Sequence, residues 1–126
     1  VAAHWGGGLP FYELMPEIAT VTQRVVYDSA ASTLLYDMRI VRAVLDVVGA
    51  DRVLMATDYP VLRQDRFLRR LQDAGLREEE LHPVLGGNAA RVFHLRDGEG
   101  SGSRFAPYAG ASPASPRAPC WSISTA

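Results

Sequence analysis

The chain of 126 residues carries 13 basic and 14 acidic side chains, a formal net charge of −1, and is 48% hydrophobic. That is enough apolar material for one core, and too balanced a charge for a partner such as nucleic acid or an anionic membrane surface. The single cysteine, Cys120, excludes an internal disulfide and a cysteine metal site; no apolar run approaches the roughly 20 residues of a membrane span, and a reducing cytoplasm is the expected setting.

In chain order, Val1–Ala3 reads as the end of a buried strand, and Gly6-Gly7-Gly8 lets the backbone turn tightly. Pro10 suits a first helical turn, and Phe11, Leu14, Met15 and Ile18 recur at spacings of three and four, which predicts one helix with one apolar face. Residues 24–28 form the next strand candidate, ending on Asp28, and Ser29-Ala30-Ala31-Ser32 closes it. Asp37 is the expected N-cap of a helix carrying Ile40, Val41, Val44, Leu45 and Val48, with Gly49 in a left-handed position after it.

A strand at residues 53–56 then runs into Asp58, a helix with Phe67, Leu68 and Leu71 ends at Gly75, and two short helices cover 78–85 and 89–94. Gly86-Gly87-Asn88 reads as a flexible turn before the last helix. The alternation of strand and helix predicts βαβ units and a parallel sheet, whose active face lies at the carboxyl ends of the strands. Strand-like sequence from the first residue reads as the back part of a longer protein. In the last 30 residues Gly, Pro, Ser and Ala make up 20, and periodicity vanishes, so residues 97–126 are expected to form a disordered tail.

The candidate chemistry sits at strand ends. Asp58 follows a continuous apolar strand and precedes Tyr59-Pro60; a strand-end Asp often only caps a helix, but a rigid strand is also what a metal-ligating carboxylate needs. His4 occupies the matching position after the first strand. Trp5 and Tyr59 flank these two residues, placed to line a substrate pocket or to pack at its mouth. Asp28 either lines the pocket or caps the next helix. Arg52 reads as a charge at the start of a strand, far from the active face, and His82 and His94 as surface or packing residues of short helices. The triple glycine lacks the following Lys-Ser/Thr of a phosphate loop.

Four segments, HWGGGLPFYELMPE, VVYDSAAS, VGADRVLMATDYP and GGNAARVFHL, in this order and at these spacings, resemble the C-terminal part of the amidohydrolase-related family, in the branch of aminocarboxymuconate-semialdehyde and resorcylate-type decarboxylases. The resemblance implies an α/β fold: residues 1–96 would be the last three β/α units of a metal-dependent (β/α)₈ TIM barrel, an architecture of about 250 residues. It implies a divalent metal, Zn²⁺ or Mn²⁺, held by an HxH pair, a mid-chain His and a strand-eight Asp matched here by Asp58. His4 matches the strand-six His, which assists the metal-bound water or ligates the metal itself.

This chain contains no HxH, so the other ligands and five units would lie elsewhere. The implied function is hydrolysis of a small-molecule substrate by metal-activated water; the alternative is non-oxidative decarboxylation. The resemblance also allows a homo-oligomeric parent. A rival expectation is an inactive, truncated or frameshifted remnant, whose uncovered strand edges would favour aggregation.

Overall fold

Three short segments run side by side and parallel, in chain order. Ala2 bridges to Tyr27, and strand β1 (Tyr27–Asp28) pairs with strand β2 (Val53–Leu54) in the register Tyr27↔Val53 and Asp28↔Leu54. The structure, a computed structural model, describes residues 1–95, so the tail expected at 97–126 lies outside the described residues. Helices fill the connections: α1 (Leu9–Tyr12) and α2 (Pro16–Thr22) before β1, α3 (Ser32–Leu35) and α4 (Arg39–Val48) before β2, then α5 (Gln64–Asp73), α6 (Glu78–His82) and α7 (Asn88–Val92). No described helix is long and apolar enough to cross a membrane.

The alternation expected from the sequence is present, but the strands are shorter than the apolar runs implied. Past Leu54 the backbone finds other partners. The Met55 N–H donates to the Val84 carbonyl (2.9 Å), while the Ser29 hydroxyl accepts from the Ala56 N–H (3.0 Å) and donates to the Ala56 carbonyl (3.1 Å). Buried backbone groups must be paired, and here a helical carbonyl and one side chain do what a longer ladder would have done.

The helix predicted through Phe11, Leu14, Met15 and Ile18 is two helices. Pro16 disfavours helical backbone at the residue before it, and Met15 is extended at φ −90°, ψ 120°. The supposed apolar face is therefore split, and Phe11, Leu14 and Met15 are exposed. Helix α4 matches its pattern: Ile40, Val41, Val44 and Leu45 are buried in one core with Trp5, Tyr27, Val53, Phe67, Leu71 and Val84. Asp37 stands one residue ahead of the N-cap, Met38, and its carboxylate accepts the Arg39 N–H at 2.9 Å.

Arg52 is far more than a charge at a strand start. Its guanidinium grips Glu13 through both nitrogens (2.7 and 2.6 Å), donates to the Thr22 and Val25 carbonyls (2.9 Å each), and lies 5.6 Å above the Tyr27 ring. The Glu13 side chain is 4% exposed and also accepts the Tyr27 hydroxyl. Burial acts to raise the Glu13 carboxyl, but hydrogen bonds from Arg52 and Tyr27 outweigh it and hold the group below its ordinary value of 4.5. A second fork, Arg42 to Glu80 (2.7 and 3.0 Å), ties α4 to α6, and this guanidinium holds the Glu80 carboxyl down as well.

The Gly86-Gly87 segment is not a flexible turn. Pro83–Gly87 forms a π-helical turn that joins α6 to α7. Gly87 is pressed against His82: a Cβ there would stand 2.9 Å from the ring Cε1 and 3.2 Å from the His82 carbonyl oxygen, whereas one on Gly86 meets nothing within 4 Å. Asn88 then reaches back, donating to the Ala50 and Val53 carbonyls at 2.7 and 2.8 Å.

Chemical denaturation of Arg52→Ala is expected to show a loss of about 3–5 kcal/mol, because Glu13 is left buried and unpaired; a loss below about 1 kcal/mol would class the pair with screened surface bridges. Since the Glu13 and Glu80 carboxyls are lowered on folding, the stability they contribute is present above their unfolded values and is lost as pH falls through the folded ones, below about 4.5. Replacing helical Gly by Ala ordinarily gains about 0.5–1 kcal/mol: Gly86→Ala is expected to keep that gain in thermal melts, and Gly87→Ala to fall below it by about 1 kcal/mol or more, because the His82 carbonyl cannot swing aside.

Candidate active site

Because Ala2, β1 and β2 are adjacent and parallel, the loops that leave their carboxyl ends emerge along one edge, the edge where parallel α/β folds bind ligands. The first loop carries His4, the second follows Asp28 at the end of β1 and begins with Ser29, and the third carries Thr57, Asp58 and Tyr59.

The His4 loop is a left-handed turn. φ is +53° at His4, +56° at Trp5, +59° at Gly6 and +62° at Gly7, a conformation that costs a side-chain-bearing residue roughly 1–2 kcal/mol. Gly6 is required on a second ground, since a Cβ would lie 3.0 Å from Tyr27 Cε1 and 3.1 Å from Leu9 Cβ. Trp5 is held in its turn by burial and by its indole N–H, which donates to Ser32 Oγ at 2.7 Å; Ser32 donates onward to the Ser29 carbonyl at 2.5 Å. Read from the sequence as either a pocket-lining or a packing residue, Trp5 has no exposed surface and braces the turn from inside the core.

His4 is fixed at two points. Its backbone N–H donates to Asp28 Oδ1 (2.9 Å), and its ring Nδ1 lies 3.2 Å from the Ala30 carbonyl oxygen. A carbonyl only accepts, so in the neutral ring Nδ1 carries the hydrogen and Nε2 keeps its lone pair. Asp28 Oδ1 accepts a second bond from the Ala30 N–H at 3.0 Å. Asp28 thus joins the first two loops and does not cap α3, whose N-cap is Ala31 without a side-chain cap bond.

Asp58 lies on the third loop, exposed, at φ +61°, with its carbonyl accepting the Val61 N–H at 2.8 Å. Thr57 before it is buried, and Tyr59 after it is 72% exposed. The structure joins His4 to Asp28 by a hydrogen bond and sets Asp58 on the same edge with β1 between. His82 is exposed at the end of α6, and His94 is exposed beyond α7 with φ +52°. Sequence reasoning missed Ser29, Glu13 and Asn88 as connectors; for Asp28 the Asx-turn half of its role, an acceptor for the amide two residues on, was open to sequence reading.

A divalent cation suits these donors, one carboxylate oxygen and one imidazole nitrogen. The number does not suit it: a catalytic zinc takes about three protein ligands, and among the described residues no group of three or more His, Cys, Asp or Glu side chains is gathered to hold an ion.

Comparison with known proteins defines the class. The sequence profile described as Amidohydrolase matches residues 1–95, three quarters of the chain in one unbroken stretch. The chain belongs to this amidohydrolase family. Its fold is similar to part of 5-carboxyvanillate decarboxylase from Sphingomonas paucimobilis (TM-score 0.60, 23% identity, 75% of this chain and 33% of that one). It is similar too to part of dihydroxybenzoic acid decarboxylase from Polaromonas sp. JS666, solved with manganese and the inhibitor 2-nitroresorcinol (TM-score 0.63, 20% identity, 74% and 32%). A zinc-bound amidohydrolase from Burkholderia multivorans matches at TM-score 0.50 and 20% identity, over 75% of this chain and 43% of that one. The chain spans about a third of the length of the two decarboxylases. No curated protein matches it in sequence.

The donor count predicts that the 126-residue chain, purified and dialysed, retains far less than one zinc or manganese per molecule by elemental analysis. One tightly held ion per chain would show that the described residues gather a complete ligand set.

Proposed function

We propose that residues 1–95 are the last three strand–helix units of a metal-dependent (β/α)₈ barrel, and that the parent enzyme is a hydrolase acting on a small-molecule substrate in the cytoplasm. The observation that carries this reading is the common edge: in a chain of the amidohydrolase family, His4, Asp28 and Asp58 lie at or just past the carboxyl ends of three adjacent parallel segments, the Ala2 bridge, β1 and β2.

When bound, a zinc or manganese ion would supply water whose pKa is lowered toward about 7. In this proposal the Asp58 carboxylate would be one of the ligands that hold that ion and would take or return a proton, while His4, with Nε2 unprotonated, would accept a proton or orient the substrate beside it. Tyr59, exposed beside Asp58, would contact substrate. The remaining ligands would come from sequence outside this chain.

Decarboxylation is the second reading, favoured by the fold matches: the two decarboxylases superpose at TM-scores of 0.60 and 0.63, against 0.50 for the zinc-bound amidohydrolase. Screening the parent enzyme for released carbon dioxide against released amine or alcohol separates the two.

In that enzyme, Asp58→Ala is expected to abolish metal retention. His4→Ala is expected to keep the metal and to lower kcat by about 10²–10⁴, the usual share of a general acid or base. Metal content and kcat measured on both variants check this, and equal metal loss would make His4 a ligand.

A further inference from the structure

We infer that Asp28 is a positioning residue for His4: by accepting the backbone N–H of both His4 and Ala30, it fixes the imidazole with Nδ1 protonated and Nε2 available. This rests on the reading of His4 as a site residue, and it assigns Asp28 a task that neither a cap nor a pocket wall would have.

The geometry is closed. Asp28 Oδ1 accepts the His4 N–H at 2.9 Å and the Ala30 N–H at 3.0 Å, and the same Ala30 residue presents its carbonyl to His4 Nδ1 at 3.2 Å. One oxygen therefore bonds the two residues that determine where the ring sits: His4, whose Cα carries it, and Ala30, whose carbonyl it faces. The anchoring is needed because His4 stands at φ +53°, a conformation that persists only where the surroundings over-determine it. Asp28 is itself placed by the ladder, through its register with Leu54 and its N–H bond to the Ala2 carbonyl at 3.1 Å. The sheet thus orients the ring through one carboxylate, the arrangement by which hydrogen-bonded carboxylates and carbonyls set a histidine tautomer.

The test uses the full chain labelled uniformly with ¹⁵N, with long-range ¹H–¹⁵N correlations of the imidazoles read at neutral pH. In the unsubstituted chain His4 is expected to show a protonated Nδ1 and an unprotonated Nε2. Asp28→Ala is expected to shift it to the Nε2-protonated form, or to an average of the two. Asp28→Asn keeps an oxygen that can accept from both amides and is expected to retain the original pattern, with core amide signals of Val41, Val44 and Val53 reporting the fold.

A His4 protonated on Nε2 in the unsubstituted chain overturns the inference outright, even if Asp28→Ala fails to fold. So does an unchanged tautomer in a folded Asp28→Ala, or an Asp28→Asn that behaves like Asp28→Ala. The readout needs neither metal nor turnover: a parent enzyme indifferent to His4→Ala would sink the catalytic reading and leave this assignment standing.

Discussion

The Arg52–Glu13 fork is the constraint on which the rest of this fold depends. Arg52 stands directly before β2, and its guanidinium is bonded to Glu13 after α1, to Thr22 at the end of α2 and to Val25 just ahead of β1. One side chain therefore fixes the amino ends of two neighbouring strands and the connection that precedes them. In a parallel ladder of two residues per strand, the sheet has little cooperative pairing with which to set its own register. Registering the amino ends also levels the carboxyl ends, and that levelling puts Asp28 and Asp58 on one edge.

Much of the remaining cohesion follows the same pattern of single polar side chains replacing sheet hydrogen bonds. Ser29, fully buried, serves the Ala56 peptide as both donor and acceptor. Asn88 satisfies two carbonyls around β2 from α7, and Glu80 takes the Arg42 fork together with the Arg77 N–H. Buried groups of this kind are costly if one partner is lost and inexpensive when complete. Among the described residues, no buried side-chain nitrogen or oxygen lacks a partner.

What the sequence made legible was local or familial. Helix α4 could be read from its periodicity because Ile40, Val41, Val44 and Leu45 lie on one face whatever packs there, and the strand–helix alternation followed from punctuation by Gly and Asp. The break at Met15 was readable in Pro16, but the spacing of the apolar residues across it outweighed the proline. The partners of Arg52, 39 residues away at Glu13, and of Asn88, 35 and 38 residues away at Val53 and Ala50, have no local signature. Gly87 looked like flexibility because a glycine needed for close approach and a glycine needed for bending are the same letter. At the site, the resemblance pointed to His4 and Asp58 and the strand ends gave their shared edge, while the link from Asp28 to His4 arises only when two loops 24 residues apart meet.

The left-handed turn at His4 to Gly7 has a consequence for the order in which the molecule assembles. Gly6 and Gly7 permit that backbone and the Gly6 N–H donates to the Ala3 carbonyl, but His4 and Trp5 disfavour it locally; they are held there by Asp28, Ala30 and Ser32, which come from the next unit of the chain. The corner that holds the histidine is thus a product of tertiary structure rather than a seed of it. Its side-chain partners are present only once the β1 segment has docked, so the geometry of the histidine loop is conditional on the contacts around it.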